Sequence, residues 1–248
     1  MQTGAAPSHD DLAANYDRQR SSPPFELYEI LREHGLVAGR RVLDVGVGTG
    51  LASEPLASAG VTITGIDPSP EMLAGARARL PQAELVTGRA ESLPFGPASF
   101  DAAISGDVFP FVDQSAALAE LLRVVRKGGT VAIWSPTIST ESEILAHRIA
   151  ASLDLGLEPI RDPASGGFRS FYAAPFAARA VRVVPTLVRA TVHGWMSLEF
   201  TRAEVRSMYG ARARAWLDAL GGRLVRAYGS PDAPLTVRLV YYLYLGTV

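Results

Sequence analysis

The stretch VLDVGVGTG, Val42 to Gly50, places a carboxylate and three glycines at the end of an apolar run. Residues without side chains let a ligand approach the backbone and allow unusual dihedral angles. The stretch is not a P-loop, because Leu51 follows Gly50 and no lysine lies near. It also fails the dinucleotide pattern, since the sixth residue counted from the first or second glycine is Leu51 or Ser53. A ligand without a pyrophosphate is therefore indicated.

Two aspartates narrow the chemistry of that ligand. Asp67 ends the next apolar run, VTITGID, where a carboxylate can accept hydrogen bonds from both hydroxyls of a ribose. Asp44 precedes the glycines, where its charge would repel a pyrophosphate and attract an ammonium or a sulfonium. The pair predicts a cofactor with an adenosine and a cationic tail, S-adenosylmethionine, whose demethylated product is S-adenosylhomocysteine.

Alternating strand and helix patterns supply the framework for these residues. Five apolar runs between residues 41 and 134 alternate with helical patterns, which predicts a parallel sheet covered on both faces. Ser69 and Pro70 mark one helix start, and Gly128-Gly129 is interpreted as the stop of a helix over Ser115–Val125. Two later runs, over 181–195 and 235–246, alternate like strands and predict an antiparallel pair at the sheet edge.

The predicted fold class is α/β: a Rossmann-like, mostly parallel sheet of about seven strands with helices on both faces and a small helical and loop cap. We expect one domain over residues 1–248. Residues 1–39 would form an N-terminal helical lid, residues 40–135 the cofactor-binding core and residues 136–180 a cap insertion. Residues 181–248 would supply the C-terminal strands and helices that complete the sheet.

Composition excludes several classes of partner. The formal net charge of −1 gives no attraction to nucleic acid or acidic lipid. The chain has no cysteine, and its histidines show no metal-ligand spacing, so we expect no metal site. No apolar run approaches the roughly 18 residues of a membrane span, and the first residues do not resemble a signal peptide. A cytoplasmic protein with a small-molecule partner is predicted.

Four stretches in order carry a resemblance to a known family. VLDVGVGTG, GIDPSPEML, AESLPFGPASFD and LLRVVRKGGTVAIW are similar to the successive motifs of class I S-adenosylmethionine-dependent methyltransferases. The similarity is greatest to the small-molecule branch that includes trans-aconitate and quinone-biosynthesis methyltransferases. It covers about residues 40–135 and implies methyl transfer to a small organic acceptor, a carboxylate or a hydroxyl, by in-line displacement.

The resemblance also implies cofactor contacts. The methionine part would lie along the glycine turn, the ribose on the second aspartate, and the adenine between the following residues and the end of the fourth strand. The N-terminal NYDRQR resembles a Tyr and Arg that fold over the cofactor. The implied cofactor-binding residues are Tyr16, Arg20, Asp44, Gly46, Gly48, Gly50, Asp67, Pro68, Met72, Ala90, Glu91 and Ser105.

Two departures limit what the resemblance implies. The family often has Asp where this chain has Arg89, and the related branch often has His-Trp where this chain has Pro110 and Phe111. A histidine-assisted mechanism is therefore not carried over, and no catalytic residue is assigned. Asp107 is a candidate base in case the acceptor must lose a proton. The candidate walls of the acceptor pocket are Phe109, Phe111, Arg169 and Tyr172.

Two other functions fit the same residues. One is a protein that binds S-adenosylmethionine on this fold without methyl transfer, such as a cyclase or a regulator. The other is a nicotinamide oxidoreductase, since an aspartate after the second strand also suits the ribose of NAD. The sequence alone leaves both alternatives open, together with the identity of the acceptor and the oligomeric state.

Overall fold

A computed structural model describes residues 22–159, 168–202, 205 and 208–248. Its strands are β1 (Arg41–Val45), β2 (Thr62–Asp67), β3 (Glu84–Thr87), β4 (Phe100–Gly106), β5 (Val125–Ile138), β6 (Ala178–Thr191) and β7 (Pro234–Thr247). Its helices are α1 (Phe25–Glu33), α2 (Glu54–Ser58), α3 (Pro70–Arg79), α4 (Gln114–Val124), α5 (Glu143–Asp154), α6 (Arg169–Ala173), α7 (Val192–Thr201) and α8 (Ala213–Tyr228). Short 3₁₀ turns cover Phe109–Phe111 and Gly210–Arg212.

The strands form one sheet in the order β3-β2-β1-β4-β5-β7-β6. The first five strands pair in parallel, and β7 lies antiparallel to both β5 and β6. Four successive residues of β1 are buried, as expected for a strand covered by helices on both faces. The predicted Rossmann-like sheet of seven strands with an antiparallel C-terminal pair is confirmed.

Local signals set the starts of the helices that flank the sheet. The Ser69 hydroxyl accepts a hydrogen bond from the Met72 N–H, and Pro70 occupies the first position of α3, as predicted. The Asp113 carboxylate accepts from the N–H groups of the second and third residues of α4 in the same way. Both helices begin directly after the loops that follow the carboxyl ends of β2 and β4.

The interpretation of Gly128-Gly129 as a helix stop was wrong. Helix α4 ends at Val124, and both glycines lie within β5. Between β4 and β5 the register jumps from Phe100↔Val125 to Ala102↔Thr130, so β5 carries extra residues there. Gly128 has a φ of +73°, and a Cβ atom on Gly129 would lie 2.4 Å from the Asp101 carbonyl oxygen. The two glycines therefore allow β5 to form a bulge and to approach the backbone of β4 closely.

A second correction concerns the strand predicted over residues 181–195. Strand β6 ends at Thr191, and the last four residues of the predicted strand begin α7. The side chain of Thr191 accepts a hydrogen bond from the Gly194 N–H and caps the helix. The alternation of apolar residues continued past this cap, so the pattern hid the change from strand to helix.

The hydrophobic core has one cluster on each face of the sheet and a third beyond its carboxyl edge. The two face clusters include Ile133 on one side and Trp134 on the other. The third, which we call the cap cluster, joins the ends of β5 and β7 to α5, α7 and α8 through Ile138, Trp195 and Trp216. In the part of the chain that is described, no helix has the length and apolar character of a membrane span.

A buried ion triad lies within the cap cluster. Glu199 is completely buried between two buried arginines, with its Oε1 3.3 Å from Arg148 Nε and its Oε2 3.5 Å from Arg202 Nε. These pairs are within ion-pair distance, although they lack the alignment of hydrogen bonds. Each guanidinium also lies 5.6 Å from the ring centre of a tryptophan, Trp216 or Trp195. The triad connects α5 to the end of α7.

We expect Glu199→Gln to lower the free energy of unfolding by about 3 kcal/mol, because it leaves two buried guanidiniums without their carboxylate. Urea unfolding at neutral pH measures the loss. Asp218→Asn is the matched control, since Asp218 forms an exposed pair with Arg214 and should change stability by less than about 0.5 kcal/mol. Equal losses of unfolding free energy in the two variants would contradict the expectation that the buried pair is more costly to break than the exposed one.

Candidate functional site

Asp44 and Asp67 lie at the same edge of the sheet. They belong to adjacent parallel strands, β1 and β2, and both side chains are buried near the carboxyl ends of those strands. The Ser53 hydroxyl donates to Asp44 Oδ2 at 2.7 Å. Asp67 accepts from two backbone N–H groups, Gly48 at 3.0 Å and Ser69 at 2.9 Å. The structure thus brings together the two carboxylates that carry the sequence-based prediction.

Burial makes both carboxyl groups unusually basic. It raises the pKa of Asp44 to about 7. The hydrogen bond from Ser53 offsets only part of the cost of ionising a buried carboxyl, and the negative charge of Asp67 adds to that cost. Burial also raises the pKa of Asp67, while the N–H groups of Ser69 and Gly48 act in the opposite direction. A cation bound nearby would favour the ionised form of both groups.

The turn between β1 and α2 has backbone angles that favour glycine. Gly46, Gly48 and Gly50 have φ values of +75°, +55° and +83°. The N–H groups of Gly46 and Val47 both donate to the Ile66 carbonyl, at 2.8 and 3.1 Å, so the turn is tied to β2. A Cβ atom on Gly46 would lie 2.2 Å from Val108 Cγ2. The glycines therefore allow β1, β2 and the loop after β4 to converge.

Two adjoining cavities open at this edge of the sheet. The first, which we call the outer cavity, has a volume of about 230 Å³ and is lined by Val45, Gly46, Ile66, Asp67, Pro68, Gly88, Arg89, Ala90, Glu91, Asp107, Val108, Phe111 and Val112. The second, the inner cleft, has a volume of about 90 Å³ and is lined by Pro23, Gly46, Val47, Gly48, Thr49, Leu51, Ala52, Gly106, Asp107, Trp134, Pro136 and Tyr241. Gly46 and Asp107 line both, so the two spaces meet there.

The predicted cofactor residues fall into three groups. Those that line the cavities are Gly46, Gly48, Asp67, Pro68, Ala90 and Glu91. Behind the walls lie Asp44, Gly50, the half-buried Met72, and Ser105, whose buried hydroxyl donates to the Val45 carbonyl at 2.9 Å. Tyr16 and Arg20 lie outside the described residues. For the described residues, the geometry gives positions, and the cofactor roles remain predictions.

The four residues predicted to form an acceptor pocket do not share a cavity. Phe109 is buried in the core, where its ring centre lies 5.8 Å from that of Phe168. Phe111 lines the outer cavity and not the inner cleft. Arg169 and Tyr172 are exposed on α6, and neither lines either cavity. Among these four, Phe111 alone lies at the described site.

Sequence reasoning missed the aromatic wall of the inner cleft. Trp134 and Tyr241 come from β5 and β7, which are antiparallel neighbours in the sheet. Trp134 ends the fifth predicted strand, at the same edge of the sheet as Asp44. This position could have indicated from the sequence that Trp134 lies at the site. It packs closely on Gly106, where a Cβ atom would lie 2.7 Å from the indole Nε1. Tyr241 carried no such local signal.

The position where the family often has Asp carries a surface cation. Arg89 is exposed at the rim of the outer cavity, with its Nη2 3.3 Å from Glu91 Oε1. Burial tends to raise the pKa of Glu91, but hydrogen bonds from backbone N–H groups and the charge of Arg89 outweigh it, and the pKa is lowered. Within the described ranges, no cluster of His, Asp or Glu side chains is suited to hold a metal ion.

A family model described as "Methyltransferase domain" matches residues 43–133. This segment of the chain is therefore similar to a methyltransferase domain. The matched segment runs from β1 through β5 and so contains both aspartates, the glycine turn and Trp134.

Relatives in sequence match about half of the chain or somewhat less. An uncharacterised methyltransferase of Mycobacterium tuberculosis is 39% identical over 121 residues, which are 48% of this chain and 49% of the relative. The demethylmenaquinone methyltransferase of Renibacterium salmoninarum is 43% identical over 100 residues, 40% of this chain and 42% of the relative. The chain thus spans about half the length of these curated relatives.

Solved structures extend the likeness to nearly the whole fold. A protein of Anaeromyxobacter dehalogenans, classed by inference as a type II methyltransferase, has a TM-score of 0.68 at 24% identity, over 92% of this chain and 97% of the other. A phosphoethanolamine N-methyltransferase of Haemonchus contortus, solved with S-adenosylhomocysteine, has a TM-score of 0.57 at 19% identity, over 97% of this chain and 58% of the other. At these identities the likeness shows the fold alone, and it extends to the strands after residue 133.

We expect Gly46→Ala to lower the free energy of unfolding by about 3 kcal/mol, because the new methyl meets Val108 and the backbone angle is strained. Gly48→Ala is the matched control. Its φ is also positive, but nothing lies within 4 Å of the added Cβ, so only the strain of about 1 kcal/mol remains. Chemical unfolding of the two variants measures the difference, and indistinguishable losses would show that the approach of Val108 is not limiting.

Proposed function

We propose that this protein transfers a methyl group from S-adenosylmethionine to a small organic acceptor by in-line displacement. The observation that carries the proposal is the pair of buried carboxylates, Asp44 and Asp67, on either side of a glycine turn that opens into two adjoining cavities. The methyltransferase domain and its relatives support the same reaction class.

The outer cavity suits an adenosine. A carboxylate has about four acceptor positions, and the N–H groups of Gly48 and Ser69 take two of them on Asp67. The remaining positions are available to the two ribose hydroxyls. Pro68, Ala90 and Phe111 offer apolar surface to the adenine ring. The Haemonchus contortus structure was solved with S-adenosylhomocysteine, which supports this cofactor for the fold.

Asp44 suits the cationic part of the cofactor. Its carboxylate does not line either cavity but lies behind the glycine turn, so it would act on a sulfonium or ammonium through its electric field. The buried surroundings lower the effective dielectric constant and strengthen that attraction. Because Asp44 is costly to ionise without a ligand, a cation in the inner cleft would stabilise both the ligand and the protein.

The side of the inner cleft formed by β5 and β7 suits the acceptor, while the glycine turn on its other side is the place predicted for the methionine part of the cofactor. Methyl transfer requires the nucleophile, the methyl carbon and the sulfur to be nearly collinear, and much of the rate can come from that alignment. Trp134, Pro136 and Tyr241 form a largely apolar wall that would orient a small acceptor and exclude water. The Renibacterium salmoninarum relative is named a demethylmenaquinone methyltransferase, which supports methyl transfer to a small organic molecule and not to nucleic acid or protein.

Calorimetry tests the cofactor part of the proposal. We expect S-adenosylhomocysteine to bind with measurable heat and NADH to give none, and we expect Asp67→Ala to weaken the binding at least 30-fold, because the ribose hydroxyls lose a charged acceptor. Asp218→Asn is the control carboxylate, since it lies on the exposed face of α8. Heat with NADH alone, or unchanged affinity in Asp67→Ala, would refute the assignment.

The raised pKa of Asp44 predicts a pH dependence of binding. Below about pH 7 the carboxyl of the unliganded protein is protonated and cannot attract a cation. The affinity for S-adenosylmethionine should therefore decrease as the pH drops below 7, with a slope that approaches about tenfold per pH unit. Above pH 7 the affinity should level off. Titration calorimetry between pH 5.5 and 8.5, in roughly unit steps, measures this. Asp44→Asn should bind more weakly and show no such slope.

The same group gives a stability signature with a defined sign. The folded protein holds a proton on Asp44 that the unfolded chain loses at lower pH, so this group destabilises the unliganded protein as the pH rises from about 4 to about 7. The difference in unfolding free energy between the original protein and Asp44→Asn should follow that direction. A difference that does not vary with pH would show that Asp44 titrates normally.

A further inference from the structure

We propose that Asp107 accepts the proton of the methyl acceptor, and that the acceptor therefore reacts through a hydroxyl or an amine and not through a carboxylate. The inference rests on the proposed methyl transfer and concerns the same site. It begins from the position of Asp107, which directly follows β4 and lines both the outer cavity and the inner cleft.

The backbone of Asp107 is held in an uncommon conformation. Its φ is +62°, in the left-handed region, and among the described residues Ala98 is the only other non-glycine with a positive φ. The Asp107 N–H donates to the Trp134 carbonyl at 2.8 Å, which fixes this conformation against β5. Strained residues of this kind persist where the surrounding structure determines them, and they concentrate at functional sites.

The side chain of Asp107 is oriented as well. The Ser135 hydroxyl donates to Asp107 Oδ1 at 2.9 Å, and Ser135 is itself buried in β5. The two contacts come from consecutive residues of one strand, Trp134 and Ser135, so backbone and carboxylate are positioned by the same rigid element. A base held by a hydrogen bond from a buried donor has the geometry expected of a proton acceptor.

The location of this carboxylate matches the line of methyl transfer. The outer cavity and the inner cleft meet at Gly46 and Asp107. With the adenosine in the outer cavity, the methionine part along the glycine turn and the acceptor against the β5 and β7 side of the inner cleft, the sulfur, methyl carbon and nucleophile pass this junction. Asp107 then lies beside the atom that loses a proton, as a general base requires.

The charge of the inner cleft favours the same class of acceptor. Among its described lining residues, Asp107 is the charged one, and the cation at the rim of the outer cavity, Arg89, lies next to Glu91. An acceptor carboxylate in the cleft would meet a like charge, whereas a hydroxyl or an amine would not. A carboxylate acceptor also has no proton to lose and would make no use of an oriented base.

The step balances without a further reactant. The lone pair of the acceptor oxygen or nitrogen forms the new bond to the methyl carbon, and the electron pair of the breaking C–S bond stays on sulfur. The sulfonium becomes the thioether of S-adenosylhomocysteine. The acceptor proton passes to the Asp107 carboxylate and then to water.

Asp107→Asn tests the proton transfer. Asparagine tolerates the left-handed conformation and still offers an oxygen to Ser135, so the variant should fold normally. Its Kd for S-adenosylhomocysteine should stay within about threefold of the original value. We expect kcat to fall at least 100-fold, because the amide cannot take a proton. Asp218→Asn controls for the loss of a carboxylate elsewhere. An unchanged kcat in Asp107→Asn would overturn the proposal.

Ser135→Ala separates orientation from chemistry. It keeps the carboxylate but removes the hydroxyl that orients it, so we expect about a tenfold loss of kcat while the KM for S-adenosylmethionine stays within about twofold. A merely structural role for Ser135 would change KM as much as kcat, and this result would count against the proposal.

The product identifies the acceptor class. The protein is incubated with S-adenosylmethionine carrying a radiolabelled methyl group and a protein-free bacterial metabolite extract, and the labelled product is treated with alkali. A methyl ester releases labelled methanol, whereas a methyl ether or an N-methyl product keeps its label. Cation exchange then separates basic N-methyl products, and hydriodic acid releases labelled methyl iodide from ethers but not from C-methyl products. An N-methyl product or an ether supports the proposal, and a C-methyl product overturns it.

Each negative result of this experiment contradicts a different part of the proposal. Alkali-labile label alone overturns the role of Asp107 but leaves methyl transfer intact. Absence of labelled product, together with normal binding of S-adenosylhomocysteine, overturns the proposed methyl transfer itself. Absence of binding overturns the cofactor assignment.

Discussion

Two carboxylates held close together at the ends of adjacent parallel strands are the constraint on which the site depends. Asp44 and Asp67 are buried, and the hydrogen bonds from Ser53, Gly48 and Ser69 offset only part of the cost, since burial still raises both pKa values. The same hydrogen bond from Gly48 ties the glycine turn to β2. The glycine turn is therefore held in place by one of the two buried carboxylates, and a cation bound beside the turn, as the proposed function requires, would offset the cost of ionising them.

Most of residues 40–135 could be predicted from sequence because its signals are local. Each strand is a short apolar run, and the Ser69–Pro70 helix start is set by residues within one turn of each other. The position of Asp67 at the end of a parallel strand implied that it would lie near Asp44. The prediction for the glycines at 128–129 was wrong for the opposite reason. The bulge that they form against Asp101 depends on β4, a strand that is distant from them in sequence.

The acceptor side could not be predicted in the same way. Phe109 and Phe111 are two residues apart, yet one is in the core and the other is 48% exposed at the outer cavity. Hydrophobicity alone does not distinguish these positions. Tyr241 faces the inner cleft only because β7 pairs with β5 in the register Pro136↔Tyr241, and no short-range pattern specifies that register. The cleft wall is thus a product of tertiary pairing.

The cap cluster lies after residue 133, where the match to the family model ends. The glycine turn needs particular backbone angles, whereas much of the cap cluster needs only apolar volume. The Arg148–Glu199–Arg202 triad is the exception, because a buried ion pair seldom adds net stability over apolar packing and instead restricts how elements fit together. It joins α5 to α7, and α5 begins at Glu143, a few residues after β5 ends at Ile138. Trp134, Ser135 and Pro136 lie shortly before that end, so the triad is connected through one short segment of chain to the residues that form the cleft wall and orient Asp107.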